Sequence, residues 1–369
     1  MQRSLWCELE SHGTHRCTTA WLKIACIHTC FHPLSTLHPM PHTTRPPLVI
    51  DFHVHMLEHE VFEASTNRTV FTGFGATPAK APRPGAQALM GRMFDPQAIL
   101  QDMDARGIDR SVVSASTVLQ GTSWADAATD LRLCQRCNDQ AARWVALHPK
   151  RFIGSMVLPL QDPQLAMQEL ERASSQLGLQ VVNMSSSYRG VYMGDPLYHP
   201  FWALLDAHQL TAWIHPEGVS DPWFQLYALW NSLGQSIEET KCMASLIYEG
   251  VMTRHPQLKV VMAHGGGYFA HYMGRLDRNT ANRPDTVRHM DGQSPSAFLR
   301  RFYYDTCVYD PEVLQVLIDR VGVDRLVMGS DYPVGEADPV AWLQEAGLQG
   351  DDLAAVAGGN AATLLQRST

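Results

Sequence analysis

Short runs of β-branched and other apolar residues alternate with amphipathic stretches along most of this 369-residue chain. The runs are typical of strands and the amphipathic stretches are typical of helices. Eight strands are predicted, at residues 48–53, 110–114, 152–157, 179–184, 210–215, 258–264, 302–306 and 325–329. Helices are predicted between most of them, at residues 96–106, 127–148, 165–177, 200–208, 237–255 and 311–321.

Several predicted strands are apolar at nearly every position, as in a parallel sheet that is buried on both faces. Repeated strand–helix units imply βαβ topology, and eight of them predict an α/β fold of the (β/α)8 TIM-barrel type. The active site of such a barrel lies at the C-terminal ends of its strands. A doubly wound open sheet is the alternative, although no glycine-rich dinucleotide loop follows the first strand.

The first 47 residues differ in character from the rest of the chain. They carry cysteines and histidines between residues 26 and 32 and end in a proline-rich stretch at 39–47. The Cys/His spacing could suggest zinc, but no apolar periodicity surrounds it to build a domain. We predict that residues 1–47 are a disordered leader or an over-extended start, with Met40 as the true first residue. Residues 48–369 are predicted to form the barrel domain.

Composition excludes several classes of protein. Hydrophobic residues make up 45% of the chain, which is enough for a large core and rules out intrinsic disorder. A net charge of -8 argues against a nucleic-acid partner, and no apolar run is long enough to span a membrane. The spacing of the eight cysteines is not typical of a disulfide framework, so a reducing, cytoplasmic location is predicted.

Two long insertions interrupt the regular pattern. Residues 57–94 follow the first predicted strand and residues 216–236 follow the fifth, so both are expected to extend from the catalytic face. The second insertion is rich in aromatic residues, including Trp230. These aromatics suit a planar, apolar or conjugated substrate, although they could equally just cover the top of the barrel.

The strongest functional signal is a set of histidines and one aspartate at strand ends. His53 and His55 lie two residues apart, which places both on one face of the first strand. His215, His264 and Asp331 come at the ends of the fifth, sixth and eighth predicted strands. Because the same ends of all strands meet at one mouth of a barrel, these side chains predict a metal site there.

These motifs resemble the amidohydrolase superfamily. The resemblance rests on His-x-His at 53–55, His215, Ala-His-Gly-Gly-Gly at 263–267 and Gly-Ser-Asp-Tyr-Pro at 329–333. More narrowly, the chain is similar to the branch of 2-amino-3-carboxymuconate-6-semialdehyde decarboxylase and related nonoxidative decarboxylases. The similarity spans residues 48–367, and the branch also contains hydratases and hydrolases.

The resemblance implies a role for each strand-end residue. It implies that the metal ligands are His53, His55, His215 and Asp331. It makes His264 the catalytic acid/base, and Asp331 can also help to orient or deprotonate a metal-bound water.

One absence bears on the number of metal ions. Binuclear relatives commonly carry a carboxylated lysine at the end of the fourth strand, whereas here Met184 and three serines stand there. A single divalent ion is therefore expected. Zinc is the default, and the same ligands would accept manganese, cobalt or iron.

Substrate-binding residues are less clearly marked. The resemblance suggests that Arg275 binds the substrate carboxylate across a homodimer interface. A second arginine is expected on the loop before the first helix, where Arg83 and Arg92 are both candidates and neither has the expected spacing. Trp230, on the aromatic insertion, is the third predicted substrate-binding residue.

Three functions are compatible with such a site. The first is nonoxidative decarboxylation of a small aromatic or muconate-type carboxylic acid. The second is hydrolysis of a lactone or amide, or hydration of a ring-cleavage intermediate, at the same metal. The third is a catalytically inactive barrel that acts as a binding protein, against which the intact ligand set argues. Decarboxylation is the preferred prediction.

Overall fold

A computed structural model describes residues 45–366, apart from 67, 70–83 and 220. The prediction of a leader therefore concerns residues that lie almost entirely outside the described part of the chain, and it stays a prediction. Arg83 also lies outside it. Within the described residues, every helix is too short or too polar to cross a membrane.

Eight parallel strands form the central sheet, and a two-stranded antiparallel hairpin lies outside it. In chain order the strands are β1 Ile50–Met56, β2 Arg110–Ala115, β3 Phe152–Met156, β4 Val181–Met184, β5 Ser187–Tyr188, β6 Val191–Tyr192, β7 Thr211–Ile214, β8 Lys259–Met262, β9 Tyr303–Asp305 and β10 Leu326–Val327. The sheet order is β1-β2-β3-β4-β7-β8-β9-β10, with β5 and β6 forming the hairpin. All eight predicted strands are therefore present.

The sheet closes on itself between its first and last strands. The backbone N–H of Phe52 donates to the carbonyl of Met328 at 2.8 Å, and Val54 forms a parallel bridge with Tyr332. Closure confirms the (β/α)8 barrel and excludes the open doubly wound sheet.

Fourteen α-helices lie in the described part of the chain. They are α1 His59–Ser65, α2 Pro84–Arg92, α3 Pro96–Ala105, α4 Thr117–Gln120, α5 Ala127–Leu147, α6 Pro163–Ser175, α7 His199–Ala207, α8 Ser236–Tyr248, α9 Val251–Arg254, α10 Met273–Asn282, α11 Pro311–Val321, α12 Pro339–Glu345, α13 Gly350–Ala354 and α14 Asn360–Leu364.

Local sequence explains where several helices begin. In α3, α6, α11 and α12 an aspartate caps the helix through its side chain and proline occupies the first turn. Aspartate satisfies backbone N–H groups that have no helical partner, and proline needs no such partner there.

One helix prediction was wrong in its extent. Residues 237–255 were predicted as one helix, but α8 and α9 are separated at Gly250, which has a φ of 77°. Glycine adopts this left-handed conformation without the steric cost that other residues meet, so the helix ends there and a new one starts.

Two layers of buried side chains hold the barrel together. The inner layer fills the barrel and includes Phe52, Val181 and Trp213. The outer layer packs the strands against the surrounding helices and includes Val54 and Met56. The C-terminal ends of the strands are left free to carry polar side chains.

Candidate metal centre and active site

A β-bulge in β1 places both histidines of the His-x-His motif inside the barrel. The pairing of β1 with β2 shifts register between Asp51 and Val54. Before the shift Phe52 faces the inner layer, whereas after it Val54 faces the outer layer. Side chains alternate along a strand, so His53 and His55 point inward at the mouth of the barrel.

His53 and His55 of β1 both contact Asp331, which follows β10. His53 Nε2 lies 3.2 Å from His55 Nε2 and 3.2 Å from Asp331 Oδ1. His55 Nε2 lies 3.1 Å from the same carboxylate oxygen. His53 is fully buried and His55 is 7% exposed, so both are largely shielded from solvent.

His215, directly after β7, completes the predicted ligand set. Its ring centroid lies 5.0 Å from those of His53 and His55. The Thr117 hydroxyl donates to the carbonyl of His215 at 3.1 Å and accepts from its Nδ1–H at 3.0 Å. The proton therefore resides on Nδ1, and Nε2 is available to a cation.

Asp305, at the end of β9, is fully buried and lies against His53. Its Oδ2 accepts a hydrogen bond from His53 Nδ1 at 2.7 Å. The other oxygen accepts from the backbone N–H of Cys307 at 3.1 Å. A Cβ at Gly329 would lie 2.9 Å from that of His53 and 3.2 Å from that of Asp305, so only glycine leaves room for this pair.

His264 is bound to a residue that the sequence analysis missed. Its Nδ1 lies 2.5 Å from Oε1 of Glu239, which is fully buried in α8. Glu239 follows another glutamate, Glu238, in the first turn of that helix. Adjacent acidic residues in a first turn are an ordinary feature of exposed helices, so nothing in the pattern indicated a buried partner for a histidine.

The surroundings shift the pKa values of His53, His55, His215 and Asp331 in different directions. Burial lowers the pKa of His215 well below its usual value and also lowers that of His55. Burial alone would lower the pKa of His53, but Asp331 and Asp305 raise it to about 10. Burial raises the pKa of Asp331, yet His53 and His55 bring it well below its usual range. Without a metal, the pair of His53 and Asp331 is therefore ionic.

The pKa values of His264 and Glu239 are both raised, for different reasons. Burial would lower the pKa of His264, but the Glu239 carboxylate raises it above its ordinary value. Burial raises the pKa of Glu239 to about 7, against the lowering effect of His264. The pair therefore holds a proton near neutral pH, as a group that supplies protons must.

Backbone conformation at the site is unusual. His264 and Asp331 have φ angles of 47° and 56°, a region that residues with side chains rarely adopt. Gly265, Gly266 and Gly267 follow His264 and also have positive φ. A Cβ at Gly267 would lie 2.1 Å from the carbonyl oxygen of Ser236, so close packing requires glycine there. Backbone strain of this kind concentrates at functional sites.

A cavity of about 480 Å³ opens onto the centre. Its walls include His55, His215, His264 and Asp331, and Trp230 from the aromatic insertion. Trp230 begins a π-helix over Trp230–Gln235 that runs directly into α8. The structure thus brings the predicted acid/base, three predicted ligands and the predicted aromatic residue to one cavity.

Neither Arg92 nor Arg275 lines this cavity. Arg92 binds the carboxylate of Asp102, with its Nε 2.7 Å from Oδ2, and the Tyr332 hydroxyl donates to that same oxygen at 2.7 Å. Arg275 lies on α10 with an exposed side chain, which forms no ion pair with any described carboxylate. Both assignments stay predictions.

A sequence model of the amidohydrolase family matches residues 50–367. The chain belongs to the amidohydrolase family. The resemblance inferred from the strand-end motifs is thereby confirmed.

Several relatives are decarboxylases, and one is a 2-keto-4-carboxy-3-hexenedioate hydratase of Sphingobium sp.. The chain is 33% identical over 249 residues to 2-amino-3-carboxymuconate-6-semialdehyde decarboxylase of Dictyostelium discoideum, covering 67% of this chain and 69% of the relative. Among solved structures, 5-carboxyvanillate decarboxylase of Sphingomonas paucimobilis aligns with a TM-score of 0.77 at 28% identity, covering 86% of this chain and 98% of the other.

A third relative carries a metal. The structure of dihydroxybenzoic acid decarboxylase of Polaromonas sp., with bound manganese and the inhibitor 2-nitroresorcinol, aligns with a TM-score of 0.74 at 25% identity. It covers 86% of this chain and 96% of the other.

The residues of this chain fit a divalent cation. One ligand atom from each of His53, His215, His264 and Asp331 lies within 4.8 Å of the others, and His55 Nε2 lies against two of these residues. Imidazole and carboxylate together suit zinc and manganese.

Proposed function

We propose that this chain is a metal-dependent nonoxidative decarboxylase of a small aromatic or muconate-type carboxylic acid. The observation that carries the proposal is that the His264–Glu239 pair opens onto the same cavity as the cluster of histidines and Asp331. In such a cavity a cation can stabilise the negative charge left on carbon as CO2 departs, and the proton source can protonate that carbon. The decarboxylase relatives support the same reaction class.

In this proposal His53, His55, His215 and Asp331 would hold one divalent ion. When bound, it polarises a substrate oxygen and stabilises the negative charge that develops as CO2 leaves. Zinc is our first candidate because of the three imidazoles. Manganese is the second, since the Polaromonas relative binds it.

His264 supplies the proton. As the bond to the carboxylate breaks, its electron pair stays on the ring or chain carbon, and CO2 departs. A proton from Nε2 of His264 then goes to that carbon, giving the decarboxylated product. Because Nδ1 is bound to Glu239, Nε2 is the nitrogen that faces the substrate, and the carboxylate of Glu239 stabilises the charged ring before transfer.

Substrate binding uses the walls of the cavity. Trp230 provides a flat apolar surface for a conjugated substrate. In this proposal Arg275 serves the site of a second subunit in a homodimer, where its exposed guanidinium pairs with the substrate carboxylate. Arg92 is tied to Asp102, so substrate binding by Arg92 would require that ion pair to open.

Product masses test the proposal. The protein, loaded with Mn²⁺ or Zn²⁺, is incubated with aromatic and muconate-type carboxylic acids and with their lactones and amides. Loss of CO2 from at least one of the acids is expected. Gain of water by any member, without loss of CO2, would instead assign the chain to hydrolysis or hydration at the same site.

The dimer has a separate test. If Arg275 completes the neighbouring site, turnover per subunit should fall as dilution converts dimer into monomer. Mixing Arg275→Ala subunits with His264→Ala subunits should restore activity, because one of the two mixed sites is then intact. An active monomer would rule out this role for Arg275.

A further inference from the structure

The two oxygens of Asp331 face different partners. Oδ1 lies 3.2 Å from His53 Nε2 and 3.1 Å from His55 Nε2, on the side of the predicted metal. Oδ2 accepts a hydrogen bond from the hydroxyl of Tyr309 at 2.8 Å. Among the described residues, Tyr309 is the one hydrogen-bond donor to Oδ2.

We infer that Tyr309 is a positioning residue that holds the Asp331 carboxylate with Oδ1 directed at the metal. This inference rests on the metal site proposed above. It does not depend on which reaction the site performs.

The torsion that Tyr309 controls is soft. Rotation of an aspartate carboxylate about its last bond has broad, roughly two-fold preferences, so the side chain alone does not select which oxygen faces the histidines. A phenol keeps its proton at neutral pH and can donate it to only one acceptor. That single bond therefore selects the orientation of the carboxylate and keeps Oδ2 away from the cation.

The loop after β9 presents the phenol. Tyr309 has a φ of 56°, which is unfavourable for a bulky residue. Asp310, the next residue, caps α11 by accepting from the backbone N–H groups of Glu312 and Val313 at 2.9 and 3.1 Å. The cap holds the loop from one side, and the Cys307 N–H bound to Asp305 holds it from the other.

Gly335 leaves the space through which Tyr309 reaches Asp331. A Cβ there would lie 2.7 Å from the Tyr309 hydroxyl and 2.8 Å from the Asp331 Cβ. It would also lie 2.2 Å from the carbonyl oxygen of Ser330, so the glycine serves the turn as well as the phenol.

Exposure to solvent limits how much the hydrogen bond from Tyr309 to Asp331 contributes to metal affinity. Tyr309 is 48% exposed, so water can replace part of its hydrogen bond to Asp331. Loss of a partner behind a metal ligand typically weakens metal binding about 10- to 100-fold. We expect the lower end of that range, about tenfold.

The experiment compares two tyrosines of one cavity wall. Tyr309 and Tyr268 both line a second opening beside His264, and Tyr268 is 43% exposed. Tyr309→Phe removes only the hydroxyl that binds Asp331. Tyr268→Phe removes a hydroxyl that contacts none of the predicted metal-ligating residues. The dissociation constant for Mn²⁺ is measured from the electron paramagnetic resonance signal of the free ion, without substrate. Thermal unfolding of the metal-free variants verifies that both are folded.

Tyr309→Phe should bind Mn²⁺ about tenfold more weakly, and Tyr268→Phe should match the wild type. The visible spectrum of the Co²⁺-loaded protein should also change in Tyr309→Phe alone, because the carboxylate is then free to turn. Equal affinity in Tyr309→Phe and wild type would overturn the inference, and so would an equal loss in both variants. Unchanged affinity with reduced turnover would assign Tyr309 to the substrate instead. If the wild type binds Mn²⁺ but releases no CO2, decarboxylation fails while this inference stands.

Discussion

Two walls of one cavity differ in how they are built. The strand-end wall carries His215, His264 and Asp331, each of which has a polar partner, and His53 contacts Asp331 from behind that wall. The insertion wall, over residues 216–236, carries aromatic side chains on short helical turns. His53 is fully buried, whereas Tyr227 on the insertion is 89% exposed.

This difference separates two functions. Side chains on short parallel strands are held by a closed network of backbone hydrogen bonds, so their polar atoms keep the distances that a metal needs. Side chains on the insertion have few constraints and can change without disturbing the barrel. Under the proposed function, the barrel would provide the chemistry and the insertion would select the substrate.

The strongest test of this division removes a predicted ligand from the rigid wall. His53→Ala and Asp331→Ala should each lose the metal and lower turnover by about a thousandfold or more, because the charge stabilisation that the ion supplies is worth several kcal/mol. Metal content by mass spectrometry and turnover are measured together. The control is His59→Ala, whose ring stacks on Phe94 away from the centre. Full metal occupancy in the first two variants would refute the ligand assignment.

A variant of the acid/base should separate metal binding from turnover. His264→Ala should retain the metal, because four other side chains provide the ligands, and should lower kcat about 100- to 10,000-fold. Metal content and kcat are again the measurements. Loss of the metal in this variant would make His264 a ligand.

The partner of His264 can be tested with its own neighbour as the control. Glu239→Gln removes the charge that stabilises a protonated His264, so kcat should fall at least about tenfold, with KM little changed. Glu238→Gln is the matched control, because Glu238 is also buried but binds Tyr192 and Lys241. Equal effects of the two substitutions would show that burial, and not the contact with His264, decides the result.

Metal affinity should increase with pH. Asp331 and Asp305 raise the pKa of His53 to about 10, so without a metal this ring is protonated at neutral pH. A cation must displace that proton, and affinity should therefore rise by up to about tenfold per pH unit between pH 6 and 9. Calorimetry in buffers with different heats of ionisation measures the released proton. Affinity that is independent of pH, with no proton release, would contradict this charge assignment.

Changes on the insertion wall should have the smallest effect. Trp230→Ala should raise KM about three- to tenfold through lost apolar contact, while metal content and kcat stay near the wild-type values. Steady-state kinetics with the substrate found in the acid panel provide the measurement. A large fall in kcat would show that the insertion takes part in the chemistry and would break the comparison.

Local patterns predicted most of the fold. The eight strands and the starts of α3 and α11 follow from apolar runs and amphipathic periodicity, which involve residues adjacent in sequence, whereas α6 begins two residues before its predicted start. The break between α8 and α9 was missed because a glycine within an amphipathic stretch does not by itself show its φ angle. Strand β1 was also predicted to end at His53, although it continues to Met56.

Part of the site could be predicted, although the reason was incomplete. Alternation does place His53 and His55 on one face of β1. Without the bulge, however, the inward face of Ile50 and Phe52 would continue to Val54 and leave both histidines outside the barrel. The bulge reverses that parity, and it depends on pairing with a strand about 60 residues away in sequence.

The sequence by itself determined the barrel class, the amidohydrolase family and the side chains that surround the predicted metal, because strand ends of a parallel barrel always meet at one mouth. Only the tertiary structure decided how those side chains are held. Glu239 and His264 are 25 residues apart, Tyr309 and Asp331 are 22 apart, and His53 and Asp305 are 252 apart. Such hydrogen bonds depend on the packing of separate elements, so no local pattern could specify them.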